Sequence, residues 1–102
     1  MNRCFFFLSH GASPEWASDY GSRYLPHGMA GLGNDRAARI WYRAMTTYLT
    51  SMDGYMEARR ACIDAARDLY GAGSREEAAV WNAFRGIKVG RPWRKPTNPA
   101  AI

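Results

Sequence analysis

At 102 residues, 47% hydrophobic and 23% charged, the chain has room for one modest core and is too apolar for a disordered segment. Its net charge of +5, from 14 Lys and Arg against 9 Asp and Glu, would suit nucleic acid or an anionic membrane surface. Only Lys88, Arg91, Arg94 and Lys95 gather near one another, so the charge reads as a generic basic surface, and no run is long enough to span a bilayer.

The first stretch, Arg3–Ser9, is apolar nearly all round and has to be buried. Its run Cys4–Leu8 is shorter than the roughly 7–15 residues of a signal-peptide core, and Ser13-Pro14-Glu15 follows without a cleavage motif. It reads as a short buried helix cut off at its left end and closed by His10-Gly11, with Gly11 suited to a left-handed cap. Loop 10–33 follows, punctuated by Gly11, Pro14, Gly21, Pro26, Gly28, Gly31 and Gly33. Trp16, Tyr20, Tyr24 and Leu25 lie between these breakers and need packing, so the loop is expected to be ordered and to wrap the core.

Ala37, Ile40, Trp41, Ala44, Met45, Tyr48 and Leu49 recur at steps of three and four, which predicts one face of a helix from about Asp35 to Thr50. Asn34 or Asp35 would cap it. Ser51-Met52-Asp53-Gly54 breaks the pattern, and Asp53 would cap a second helix, Gly54 to Tyr70. Its inner face, Ala58, Ala61, Cys62, Ala65, Ala66 and Leu69, is mostly small, so a neighbouring helix bearing Trp41, Met45 and Tyr48 could approach closely. Gly71-Ala72-Gly73 ends it. Ser74-Arg75-Glu76-Glu77 then reads as a capping box for a third helix running to about Arg85, which buries Ala78, Val80, Trp81 and Phe84 and is stopped by Gly86. The stretch Arg91–Pro99, with three prolines and three basic residues, reads as a tail or strap.

Candidate chemistry is sparse. His10 and His27 lie in loop-like sequence without the second histidine of a zinc-binding helix. Ser9, Ser13, His10 and Asp19 could be assembled into a triad, but no GxSxG turn supports one. Gly31-Leu32-Gly33 lacks both the third glycine of a dinucleotide loop and the Lys-Ser/Thr of a P-loop, so helix entry is the better account. Arg59, Arg60 and Arg67 alternate with Glu57, Asp64 and Asp68, with Arg60 and Asp64 as an i, i+4 pair. That is a solvated, balanced face rather than a helix for a DNA groove. Cys4 and Cys62 lack CxxC spacing and leave two alternatives, one bridge or two buried thiols.

From Gly31 onward the chain resembles the C-terminal helical region of the thermolysin-like neutral zinc metallopeptidases. Gly31-Leu32-Gly33 and Ile40-Trp41-Tyr42-Arg43-Ala44-Met45-Thr46-Thr47-Tyr48-Leu49-Thr50 are similar to that family's Gly-Ile-Gly and Ile-Phe-Tyr-Arg-Ala-Leu-Thr-x-Tyr-Leu-Thr. Ala58-Arg59-Arg60-Ala61, Ala65–Gly71, Ser74-x-Glu76, Val80 and Ala83-Phe84 resemble its last helices in the same order. Asn2-Arg3-Cys4-Phe5-Phe6-Phe7-Leu8 resembles the helix that follows its catalytic histidine. Loop His10–Ala30 is longer than in thermolysin itself, and Arg91–Ile102 runs past the usual end.

The expected architecture is an all-α small bundle of three main helices plus a short N-terminal helix. It forms a domain of residues 1–90 that includes loop 10–33, followed by a basic Pro-rich tail at 91–102. The resemblance implies a domain that forms one wall of a zinc metalloendopeptidase cleft, exported from the cell. In the family the zinc ligands and catalytic groups precede the Asn-Arg-aromatic stretch. No catalytic, cofactor-binding or metal residue is therefore carried over, and the isolated chain is expected to be inactive. Zinc, with calcium as a further candidate, is implied only for a full-length member. The implied partners are an N-terminal catalytic half or another protein, with protein or peptide substrates for the whole enzyme and neither nucleic acid nor membrane. The alternative is a noncatalytic protein-interaction module derived from the same domain, which exposed Phe5, Phe6, Phe7 or Trp16 would favour.

Overall fold

The computed structural model describes residues 2–15, 17, 20–48, 54–91 and 93. Four helices carry these residues: α1 (Asn2–His10), α2 (Asn34–Arg43), α3 (Tyr55–Tyr70) and α4 (Arg75–Gly86), with α2 running into a π-helical turn at Ala44–Tyr48. The bundle expected from the sequence is present. Within the loop there is also a two-residue antiparallel ladder, β1 (Gly11–Ala12) with β2 (Met29–Ala30), in register Gly11–Ala30 and Ala12–Met29.

The four helices share one core. Cys4, Phe7 and Leu8 of α1, Ala37 and Ile40 of α2, and Val80, Ala83 and Phe84 of α4 are almost wholly buried. The α3 face of Ala58, Ala61, Cys62, Ala65 and Ala66 is buried as its spacing predicts, and its small side chains let α2, the π turn and α4 pack against it. Several positions differ from the predicted faces, among them Tyr48 of the α2 stripe, which is exposed. Leu69 is 41% exposed, while Ile63 takes a buried place. On α4, Ala78 and Trp81 are half-buried, and Glu77, Ala79 and Ala83 go inside.

Loop 10–33 is ordered because both its ends are tied to helices. Gly11 has φ +87 and lies so close to β2 that a Cβ would meet the Met29 carbonyl oxygen at 2.5 Å, so only glycine fits the turn out of α1. The Leu32 and Gly33 amides donate to the Leu8 and Ser9 carbonyls at the end of α1. Buried Ser22 donates to the Gly86 carbonyl at 2.6 Å, and Leu25 fills the core beside it. Trp16 and Asp19 lie outside the described residues.

The helix starts differ from expectation. Gly33, not Asn34 or Asp35, is the N-cap of α2, and no side-chain cap hydrogen bond forms there. Gly54 occupies the same position for α3, also without one; Asp53 lies outside the described residues. The expected continuous helix to Thr50 gives way at Ala44 to a π turn. There Thr46 Oγ1 donates back to the Tyr42 carbonyl at 2.8 Å, offering that carbonyl a side-chain partner within the ladder. Leu49 and Thr50 lie outside the described residues.

At α4 the Ser74 hydroxyl accepts the Glu77 amide at 3.1 Å, as a capping box requires. Glu77 reaches back one residue further than expected, accepting from the Gly73 amide at 2.8 Å. Gly86 does not stop α4 but closes it, as its last residue. The basic tail beyond Trp93 lies outside the described residues.

Candidate functional site

The half-open surface of the molecule that concentrates aromatic side chains is the outer face of α1. An apolar helix with Cys4, Phe7 and Leu8 turned inward must present Phe5 and Phe6 toward its flanks, since neighbouring positions on a helix cannot share a face. Phe5 meets Trp41 of α2 edge-on, with ring centroids 5.8 Å apart. Phe6 stacks with His10 at 5.0 Å and with Tyr20 at 6.1 Å; Tyr20 is 65% exposed. Phe6, His10, Ala12, Ser13, Tyr20 and Met29 line a shallow groove of about 500 Å³ along α1 and the β ladder. Such a groove can hold an apolar side chain or an extended peptide. Phe7, by contrast, is fully buried, so it adds nothing to the exposure that would favour the interaction-module alternative.

Asp19 lies outside the described residues, and among those described Ser9 and Ser13 are engaged locally. The Ser9 hydroxyl donates to the Phe5 and Phe6 carbonyls of its own helix, and the Ser13 hydroxyl accepts the Glu15 amide. Their hydrogen bonds are those of local backbone capping. Among the described residues no three His, Cys, Asp or Glu side chains group to hold a metal ion, so these residues offer no site for the zinc that the resemblance implies. Cys4 and Cys62 are free and buried. Burial pushes the Cys62 thiol up to about 12 and raises Cys4 further with Cys62 beside it, so both are protonated, inert thiols at neutral pH.

Sequence reasoning missed two polar networks. Arg60 and Asp64 form no ion pair among the described residues; the charges of α3 turn instead toward its neighbours. Asp68 accepts from the Tyr48 hydroxyl of the π turn and pairs with Arg43 at 3.2 Å. Those two contacts hold its carboxyl below the usual range. Arg67 pairs at 3.1 Å with Glu77, which is 1% exposed. Glu77 also accepts the Trp81 indole N–H at 2.9 Å, and Arg59 lies 4.4 Å over the Trp81 ring. The alternation of charges on α3 was visible, but not which neighbour each charge meets. No described helix is long and apolar enough to cross a membrane.

The family model "Thermolysin metallopeptidase, alpha-helical domain" matches residues 1–89. The chain is 41% identical over 61 residues to bacillolysin of Bacillus caldolyticus and to thermolysin of Alicyclobacillus acidocaldarius subsp. acidocaldarius, covering 60% of this chain and 11% of each relative. It is 37% identical over 59 residues to neutral protease B of Bacillus subtilis (strain 168), covering 58% of this chain and 11% of that protein. The matched segment thus spans about a tenth of the length of these curated relatives.

Proposed function

The chain belongs to the thermolysin metallopeptidase family as its alpha-helical domain, and from that premise we propose that it forms one wall of the cleft of an exported zinc metalloendopeptidase acting on proteins or peptides. The observation that carries this reading is the match over residues 1–89, which runs through all four described helices. The helical unit is residues 1–90, with 91–102 as an appended tail. Its α1 groove, with Phe6, His10 and Tyr20, would face either the catalytic half or the substrate chain. The zinc ligands and the groups that activate water would come from that other half, because zinc-assisted hydrolysis needs several ligands and a base converging on one ion. This chain would contribute shape, rigidity and apolar contact, and no catalytic side chain.

Purified alone, the chain is expected to leave casein intact. Co-expressed with a family catalytic half bearing His-Glu-x-x-His, it is expected to support EDTA-sensitive hydrolysis above that of the catalytic half by itself. EDTA-sensitive cleavage by the chain alone would sink the proposal. A second reading, a noncatalytic interaction module derived from the same domain, draws on the exposed Tyr20 beside half-buried Phe6. It predicts capture of a folded protein with no catalytic half present, through a surface that Phe6→Ala weakens.

A further inference from the structure

The segment that leaves α4, residues 87–91 and 93, folds back over the outer surface of α3 and α4 as a strap. The Lys88 and Val89 amides donate to the Arg85 and Phe84 carbonyls at 2.8 and 2.9 Å. The Trp93 amide then donates to Asn82 Oδ1 at 3.0 Å, and its ring meets Trp81 edge-on. Three features oppose this closure. Lys88 has φ +64, a left-handed backbone that a residue with a side chain disfavours. Gly90 lies so close to α3 that a Cβ there would collide with Arg59 Nε. That nitrogen is buried without a hydrogen-bond acceptor among the described residues, while the Arg59 guanidinium stacks 4.4 Å over the Trp81 ring. A buried donor left unpaired costs free energy that contact with water would recover.

The third feature is charge. Arg91 follows Gly90 directly and brings a second cation to Arg59; burial, then the Arg91 and Arg60 charges, lower the Arg59 pKa. No carboxylate offsets them. The ion pairs among the described residues engage Arg36, Arg43 and Arg67, and Glu77 is committed to Arg67, the Gly73 amide and the Trp81 indole. Residues 92–102 contain no Asp or Glu.

We propose that the strap is a latch gated by ionic strength, closed in salt and released in dilute solution by repulsion between Arg59 and Arg91. What closes it is small and local: one side-chain hydrogen bond, one ring pair and two turn hydrogen bonds. Left-handed strain at Lys88, an orphaned donor and like charges are of the same order, so a modest change in any one shifts the balance. Salt acts on the charge alone, because partly exposed cations are screened within a Debye length. Release hydrates Arg59 Nε and uncovers the Trp81 ring, while the core side chains of α3 and α4 stay buried. The inference stands on the strap's own contacts and is independent of the proteolytic reading.

The test is hydrogen exchange of the Trp93 amide, followed by NMR on the full chain. It compares about 20 mM with about 300 mM sodium chloride, between which the Debye length falls from ~20 to ~6 Å. Protection relative to an unstructured peptide is expected to rise about threefold with salt in the wild type. Arg91→Gln is expected to give the higher protection at both concentrations, and the charge-matched Arg39→Gln to keep the wild-type response. The Ile63 amide of α3 reports opening of the whole fold. A salt response at Ile63 as large as that at Trp93 would place the effect in global stability and overturn the proposal. So would a Trp93 amide indifferent to salt, an Arg91→Gln chain that still responds, or sodium sulfate of equal ionic strength protecting far more than chloride, which would mean a bound anion rather than screening.

Discussion

Glu77 is a carboxylate placed where water cannot reach it, and its three donors explain why it stays ionised. Burial pushes its pKa up, but Arg67, the Gly73 amide and the Trp81 indole together pull it below the usual carboxylate range. Truncation would leave the indole and amide N–H groups without an acceptor, so Glu77→Ala is expected to cost about 3 kcal/mol of stability in urea unfolding. Glu77→Gln tests the charge. A depressed folded pKa contributes stability that is present above the unfolded value, about 4.3, and is lost as pH falls through the folded one. The gap between wild type and Glu77→Gln should therefore be full at neutral pH and shrink below about pH 4. A gap that stays constant down to the acid limit would mean that the carboxylate charge plays no part. The sequence disclosed only half of this residue. An acid three positions after a serine announces a cap, and the cap exists; burial and the link to α3 depend on Arg67, ten residues away, which local pattern cannot register.

Among the elements, the segment leaving α4 adds a clasp beyond the matched residues 1–89. The Trp93 amide donates to Asn82 Oδ1 at 3.0 Å, and its ring meets Trp81 edge-on at 5.7 Å. Trp81 is thus held by Trp93, by Arg59 of α3 and by Glu77, so the clasp joins α3 to α4 where their outer surfaces meet. Trp93→Ala is expected to lower stability by about 1–2 kcal/mol, from lost ring contact and burial. It should also speed tryptic cleavage after Lys88 without changing helix content. Unchanged cleavage rates would show that the ring contact does not restrain the segment. The basic Pro-rich composition read as a tail or strap, but nothing in it pointed to Trp93 as the anchor. The α3 face was legible because alanines at helical spacing admit few other readings. The π turn was not, since Ala44–Tyr48 keeps the apolar stripe of a regular helix.

Across the whole molecule, what unites the segments is the end of α4. Gly86 looked like a helix stop in the sequence. In the fold it is buried between elements far apart in the chain, where a Cβ would meet the Phe7 ring of α1 at 2.6 Å and the Leu25 side chain at 2.9 Å. Its carbonyl accepts from Ser22, which anchors the loop. The family segments could be read from the sequence one after another. The α1 groove could not, because Phe6 and Tyr20 become neighbours only when α1 and the loop close together. Overpacking such a junction forces shifts in several elements together, so Gly86→Ala is expected to cost about 1–3 kcal/mol. Pairing it with Phe7→Leu, which frees volume at the clash, should recover part of that loss, so that the double variant is more stable than the sum of the two single changes. Additive losses, measured by thermal unfolding of all four proteins, would mean that Phe7 and Gly86 do not constrain one another and that the close approach of α1 to α4 is not what requires glycine there.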